Sequence, residues 1–192
     1  MIRRFFGSFL LWIWGWRVEG EFPPVPKCVV VEAPHTSFYD FFLGRFAMWK
    51  LGIPTHYLIK AKYFKGLMGL LLKWSGGIPV THNPKDKFYK NLLGTFKEAK
   101  NLYLVITPEG TRKPVKRWRS GFIAIARDAN VPLVLGYCDY SRKVIGIMGL
   151  FDMSDDMAAD IDKIQRMYKA SWARHPEKFY ELPPIELKEN LH

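Results

Sequence analysis

At 192 residues, 48% of them hydrophobic, the chain fits one ordinary domain with a single buried core and is neither disordered nor of low complexity. Its two cysteines, Cys28 and Cys138, are far apart and lack CxxC spacing, which excludes a disulfide framework and a cysteine zinc site and suits a reducing compartment. A net charge of +11 asks for a negatively charged partner: nucleic acid, an anionic membrane surface or a phosphorylated substrate.

The first segment is MIRRFFGSFLLWIWGWRVEG, residues 1–20. Arg3 and Arg4 precede the uncharged run Phe5 to Trp16, and Arg17 closes it. As a helix that run rises only about 18 Å, against a hydrocarbon core of roughly 30 Å, so it does not span a bilayer. It has the basic and apolar regions of a signal peptide, yet no small-x-small cleavage site follows. Trp12, Trp14 and Trp16 fall here, and tryptophan favours headgroup depth. The expectation is an aromatic amphipathic helix within residues 1–20 lying in the membrane interface, its arginines toward phosphates.

Pro23, Pro24 and Pro26 predict a short linker, followed by one main domain over residues 27–175 and a polar tail over 176–192. KCVVVEA (27–33) reads as a buried strand bounded by Pro34, and Thr36 to about Lys50 as a helix beginning beside Ser37 or Asp40. THYLIKA (55–61) predicts a second strand, GLMGLLLKWSG (66–76) a short apolar helix, and GGIPV (76–80) a turn and brief strand. Residues 84–100 read as helical, and NLYLVIT (101–107) as a third buried strand ending at Pro108. GFIAIARDANVPLVLGYCDY predicts a helix, a turn at Asn130 and a strand from Pro132 to Tyr140. KVIGIMG (143–149) is its hairpin partner, and a last helix covers about 154–173. Strands alternating with helices predict a single α/β domain, its mainly parallel sheet flanked by helices. In such sheets chemistry gathers at the carboxyl ends of the strands. Both APHTSFYDF (33–41) and TPEGTR (107–112) fall at that end.

His35 is the first candidate, because imidazole exchanges a proton near neutral pH and acts as a general base when a carboxylate orients its other nitrogen. Residues five apart diverge on a regular helix, so His35 meets Asp40 only if it precedes the helix and Asp40 sits in the first turn. The plain reading is a packed histidine and a carboxylate near the helix dipole. In the second stretch, Gly110 permits a tight turn, and Thr111 and the backbone offer donors within it. Arg112 offers a planar fork matched to phosphate or carboxylate, with Lys113, Lys116, Arg117 and Arg119 behind it. Taken alone, EGTR is equally a surface turn.

PHTSFYD followed about seventy residues later by PEGTR resembles the glycerophospholipid acyltransferase family, whose hallmarks are HxxxxD and then EGTR. Between them KAKYFKGLMG…GGIPV is similar to the family's second motif, and VPLVLGYCDY to its fourth. The chain resembles one of the short bacterial members, with an acyltransferase domain over 27–175. That resemblance implies His35 as general base and Asp40 as its orienting partner, with no covalent intermediate. It implies Glu109, Gly110, Thr111 and Arg112 as the acceptor-phosphate site, and Lys60 with Gly77, Ile78 and Pro79 as shaping the pocket between. It implies no cofactor and no metal, an acyl-CoA or acyl carrier protein donor, and a lysophospholipid acceptor. The place implied is the cytoplasmic face of the bacterial inner membrane, peripheral or monotopic, against anionic lipids.

Two residues depart from the family pattern. Pro34 stands where members often have Asn, and Thr81-His82 follow GGIPV where an arginine is common. His82 is a weaker, titratable phosphate ligand and reads more simply as a surface histidine. The substitution leaves the acceptor open among a lysophosphatidic acid, an aminoacyl lipid, a lysolipid without phosphate and a saccharolipid. Lys85, Lys87 and Lys90 offer charge to either acidic donor and are also ordinary solvated lysines. A nucleic-acid binder is the competing class on charge alone, but the basic residues follow no RRM or helix-turn-helix pattern, so no nucleic acid is expected.

Overall fold

The computed structural model describes residues 2–80 and 87–183. His82, Lys85 and the tail from residue 184 lie outside the described residues, and so do the expectations placed on them.

Seven strands form one sheet in the order β1-β7-β6-β2-β5-β3-β4. In chain order they are β1 (Arg17–Glu19), β2 (Lys27–Ala33), β3 (Thr55–Lys60), β4 (Gly77–Val80), β5 (Leu102–Ile106), β6 (Leu133–Asp139) and β7 (Val144–Phe151). From β6 to β4 every pairing is parallel; β7 runs antiparallel to β6, and β1 is parallel to β7. The β-branched run Val29-Val30-Val31 is buried on both faces, as a central parallel strand requires. The expected α/β domain with a mainly parallel sheet is the observed one, and the hairpin β6–β7 supplies its one antiparallel pairing.

The helices are α1 (Ile2–Ile13), α2 (Tyr39–Leu51), α3 (Gly66–Trp74), α4 (Phe88–Glu98), α5 (Gly121–Asp128) and α6 (Met157–Arg166). Right-handed crossovers sort them between the two faces. The connections β2→β3 and β3→β4 both step toward the β4 edge, so α2 and α3 share a face. The steps β4→β5 and β5→β6 go the other way, which puts α4 and α5 opposite. The packing agrees. Leu92, Phe96, Phe122, Ile123 and Ile164 build the larger core on Val29, Val31, Leu104 and Leu133. On the other face Leu43, Ala47 and Met48 of α2 cover Cys138, Val30 and Val134.

Two differences from the sequence reading involve the N-terminal segment. Residues 17–19 are a strand of the sheet, too short and too mixed in character to show a period. And α1 lies directly on α2: at Gly7 an added Cβ would stand 2.5 Å from the Phe46 carbonyl, so only glycine permits that approach. Gly7 and Leu11 face inward, while Ile2, Phe5, Phe6, Phe9, Trp12 and Ile13 form an outward apolar stripe. The last helix is shorter than expected, Met157–Arg166, with a 3-10 turn at Ala170–Trp172.

Candidate active site

The site grows from the loop between β2 and α2. Asp40 sits in the first turn of α2, and its Oδ2 accepts the N–H groups of Thr36 (2.9 Å) and Ser37 (2.8 Å). Those two bonds fold the loop back over the helix start, and His35 Nδ1 thereby comes to 3.3 Å from the same oxygen. The five-residue spacing thus works as the sequence requires, with the histidine ahead of the helix. Parallel neighbours complete the loop from both sides. On the β6 side, the Tyr140 hydroxyl donates to Asp40 Oδ1 at 2.7 Å. On the β5 side, Glu109 Oε1 accepts the His35 backbone N–H at 2.8 Å. The Asp40 side chain is 2% exposed and that of His35 20%, and Nε2 has no protein partner among the described residues. The pair is anchored on one nitrogen and open on the other.

Glu109 was expected with the acceptor phosphate; the structure places it beneath the loop, 4% exposed, with Oε2 buried and unpartnered. Burial pushes its carboxyl up to about 7, against the lowering effect of the His35 N–H. A third acid, Glu32 of β2, lies behind it with its oxygens against Gly44 of α2, where a Cβ would stand 2.4 Å from Oε1. Its Oε1 is sealed without a partner, and burial, then Asp40, then Glu109 push its carboxyl up to about 8. Because that value exceeds the unfolded one of 4.5, the folded state binds the extra proton between the two, and stability falls as pH rises from about 4.5 to 8. Glu32→Gln removes this dependence. Urea unfolding is expected to find the variant more stable than wild type by about 2–4 kcal/mol at pH 8 and equal to it near pH 4.5. The same offset at both pH values would contradict the assignment.

The turn after β5 carries the other predicted residues. Gly110 has φ +63, in the left-handed region, and its N–H returns to Thr107 O at 3.1 Å. The Thr111 hydroxyl accepts the Lys113 N–H, and the Arg112 side chain is exposed with no hydrogen bond among the described residues. The turn therefore carries a hydroxyl and an open guanidinium two and three residues beyond Glu109, the residue that holds the His35 backbone. Among the described residues no hydrogen bond or ion pair links Lys60, Gly77, Ile78 or Pro79 to this cluster. Lys60 ends β3, exposed, and Gly77–Pro79 belong to β4, which β5 and β3 hold roughly 14 Å from β2. There Gly77 packs on α3 and Ile78 on the core.

Tyr140, Glu32 and the 174–175 segment were not expected at the site. His175 N–H donates to Thr36 Oγ1 at 3.3 Å, and the Arg174 guanidinium lies 4.0 Å from the Tyr39 ring centre. Tyr39 and Arg174 line a cavity of about 300 Å³ together with Trp14, Trp16, Leu43 and Tyr140. The aromatics flanking Asp40 divide: Phe38 and Tyr39 are exposed, whereas Phe41 and Phe42 are half-buried, Phe41 against Tyr57. Among the described residues no group of three or more His, Cys, Asp or Glu is placed to hold a metal ion.

A family model described as Acyltransferase matches residues 16–135. That span contains the β2–α2 loop and the turn at 107–112. The fold is similar to that in the crystal structure of the 1-acyl-sn-glycerophosphate (LPA) acyltransferase, PlsC, from Thermotoga maritima, with a TM-score of 0.60 at 15% identity. The likeness covers 84% of this chain and 74% of that one. No curated protein matches the chain.

Proposed function

The chain belongs to the acyltransferase family, and on that premise we propose that it moves a fatty acyl group from an acyl thioester to the hydroxyl of a lysophospholipid, most simply 1-acyl-sn-glycerol 3-phosphate. The observation that carries this reading is the His35–Asp40 contact at 3.3 Å with Nε2 left open. Nε2 takes the proton of the acceptor hydroxyl as its oxygen attacks the thioester carbonyl. The carbon–sulfur bond then breaks, and the imidazolium returns the proton to the leaving thiolate. Asp40 holds Nδ1 and steadies the imidazolium, and Tyr140 fixes the carboxylate from behind. No side chain need form a covalent bond to the acyl group.

The acceptor phosphate belongs on the 110–112 turn, with Thr111 and Arg112 as donors and Glu109 holding the loop below. A carboxylate facing the phosphate would repel it, so burial of Glu109 against His35 suits this division of labour. Lys60 extends the positive edge at the end of β3. The donor is an acyl thioester of coenzyme A or acyl carrier protein, and no other cofactor enters the reaction. No helix among the described residues is long and apolar enough to cross a membrane. The outward stripe of α1 and the charge of +11 support peripheral binding to anionic lipids, on the cytoplasmic face of a bacterial inner membrane. The free, buried Cys28 and Cys138 suit that reducing side.

Labelled acyl-CoA and acyl carrier protein donors, offered with a panel of lysolipids, test the reading. Acylation of the phosphate-bearing acceptors is expected, and transfer only to an aminoacyl lipid or saccharolipid would move the acceptor assignment. In the same assay Arg112→Ala is expected to raise KM for lysophosphatidic acid about tenfold or more, with kcat little changed. An unchanged KM would remove Arg112 from the phosphate site.

A further inference from the structure

We propose that α3 is a second membrane contact, which with α1 lays one whole face of the protein on an anionic bilayer and turns the mouth of the site toward it. In water a surface helix shows its polar side; α3 is inverted. Leu67, Met68, Leu70, Leu71 and Trp74 recur at helical spacing on its outer side, Leu67 at 74% and Trp74 at 68% exposure. Gly69 alone is buried, against the Phe64 backbone. Nothing in the described fold covers this face.

The two apolar helices form one surface. The Arg3 guanidinium of α1 lies 5.4 Å from the Trp74 ring centre, joining the start of α1 to the end of α3. Buried Arg45 of α2 donates to the Thr55 carbonyl and hydroxyl and to the Ser75 carbonyl, fixing the end of α3 to the helix on which α1 rests. Crossover handedness puts α3 on the same side of the sheet as α2 and α1.

The occupant is identified by charge. No acidic residue occurs between Asp40 and Asp86, while Lys62 and Lys65 precede α3, Lys73 stands in its last turn, and Arg3 and Arg4 begin α1. An apolar face rimmed only by cations, with tryptophan on both helices, fits acyl chains beneath anionic headgroups. A second copy of the chain would bring the same cations together. Exposed Tyr39 and Phe38, one and two residues before Asp40, lie at the start of α2 on this side. An amphiphile leaving the bilayer would reach His35 past these rings.

This inference extends the membrane reading from α1 to α3, and vesicle binding tests it independently of acyl transfer. The full chain is floated with phosphatidylcholine vesicles, with and without phosphatidylglycerol. Wild type is expected to bind the anionic vesicles, more weakly as salt rises. Leu67→Gln/Leu70→Gln/Leu71→Gln, all at exposed positions, is expected to lose about tenfold or more of that binding. Binding equal to wild type would overturn the proposal. So would a wild-type dimer in buffer that these changes make monomeric, since the face would then be a self-contact. A direct readout is Leu70→Cys carrying an environment-sensitive fluorophore, the native thiols being buried. A blue shift on adding anionic vesicles is expected, and an unchanged aqueous spectrum would overturn it.

Discussion

Replacing His35 with alanine is expected to lower acyl transfer by about 10²–10⁴-fold while the fold survives. Among the described residues the imidazole has one polar partner, Asp40, and its ring is part exposed, so little packing is lost. The loop itself is held through the His35 backbone N–H, which alanine retains. Circular dichroism and urea unfolding should therefore match wild type as turnover collapses. Turnover within a factor of two of wild type would dismiss His35 as the base.

Asp40 is expected to show two separable losses. Alanine removes the acceptor of the Thr36 and Ser37 N–H groups and of the Tyr140 hydroxyl, all within a carboxylate that is almost wholly enclosed. Orphaning these donors is expected to cost about 2–5 kcal/mol in unfolding, along with at least a hundredfold in rate. Asparagine divides the two effects. Its oxygen can still receive Thr36 and Ser37, and its amide can donate to the tyrosine oxygen, but the charge beside the imidazolium is gone. Asp40→Asn should stay within about 1 kcal/mol of wild-type stability and still lose most of its turnover. An Asn variant as active as wild type would leave Asp40 only the task of shaping the loop.

Local features were legible in the sequence because local physics decides them. The valine run of β2, the breaks at Pro34 and Pro108 and the turn at Asn130, whose φ is +51, all stand where the residues place them. His35 and Asp40 were legible for the same reason: the bonds that join them lie within six residues. What the pattern hid is what the sheet brings from afar. Tyr140 reaches Asp40 across 100 positions, and His175 reaches Thr36 across 139. Glu109 is the instructive case. A carboxylate in a basic turn reads as part of the polar surface, yet strand pairing of Val31 with Ile106 carries it under the neighbouring loop. Glu32 was hidden by its strand, since an acid near the end of an apolar run looks like its exposed end. Gly44, one turn after Asp40, leaves the space that Glu32 fills.

The mechanism proposed above is direct transfer: a hydroxyl activated at His35 attacks the thioester, with nothing covalently attached to the protein. It is tested most directly by following thiol release and acylated lipid together in one reaction, with the intact protein weighed by mass spectrometry. With acyl-CoA or acyl carrier protein donor alone, no burst of thiol and no added acyl mass are expected. Adding lysophosphatidic acid should release thiol and form phosphatidic acid one for one, and His35→Ala should stop both. Thiol released at the same rate without acceptor, or an acyl group found on the protein, would contradict it.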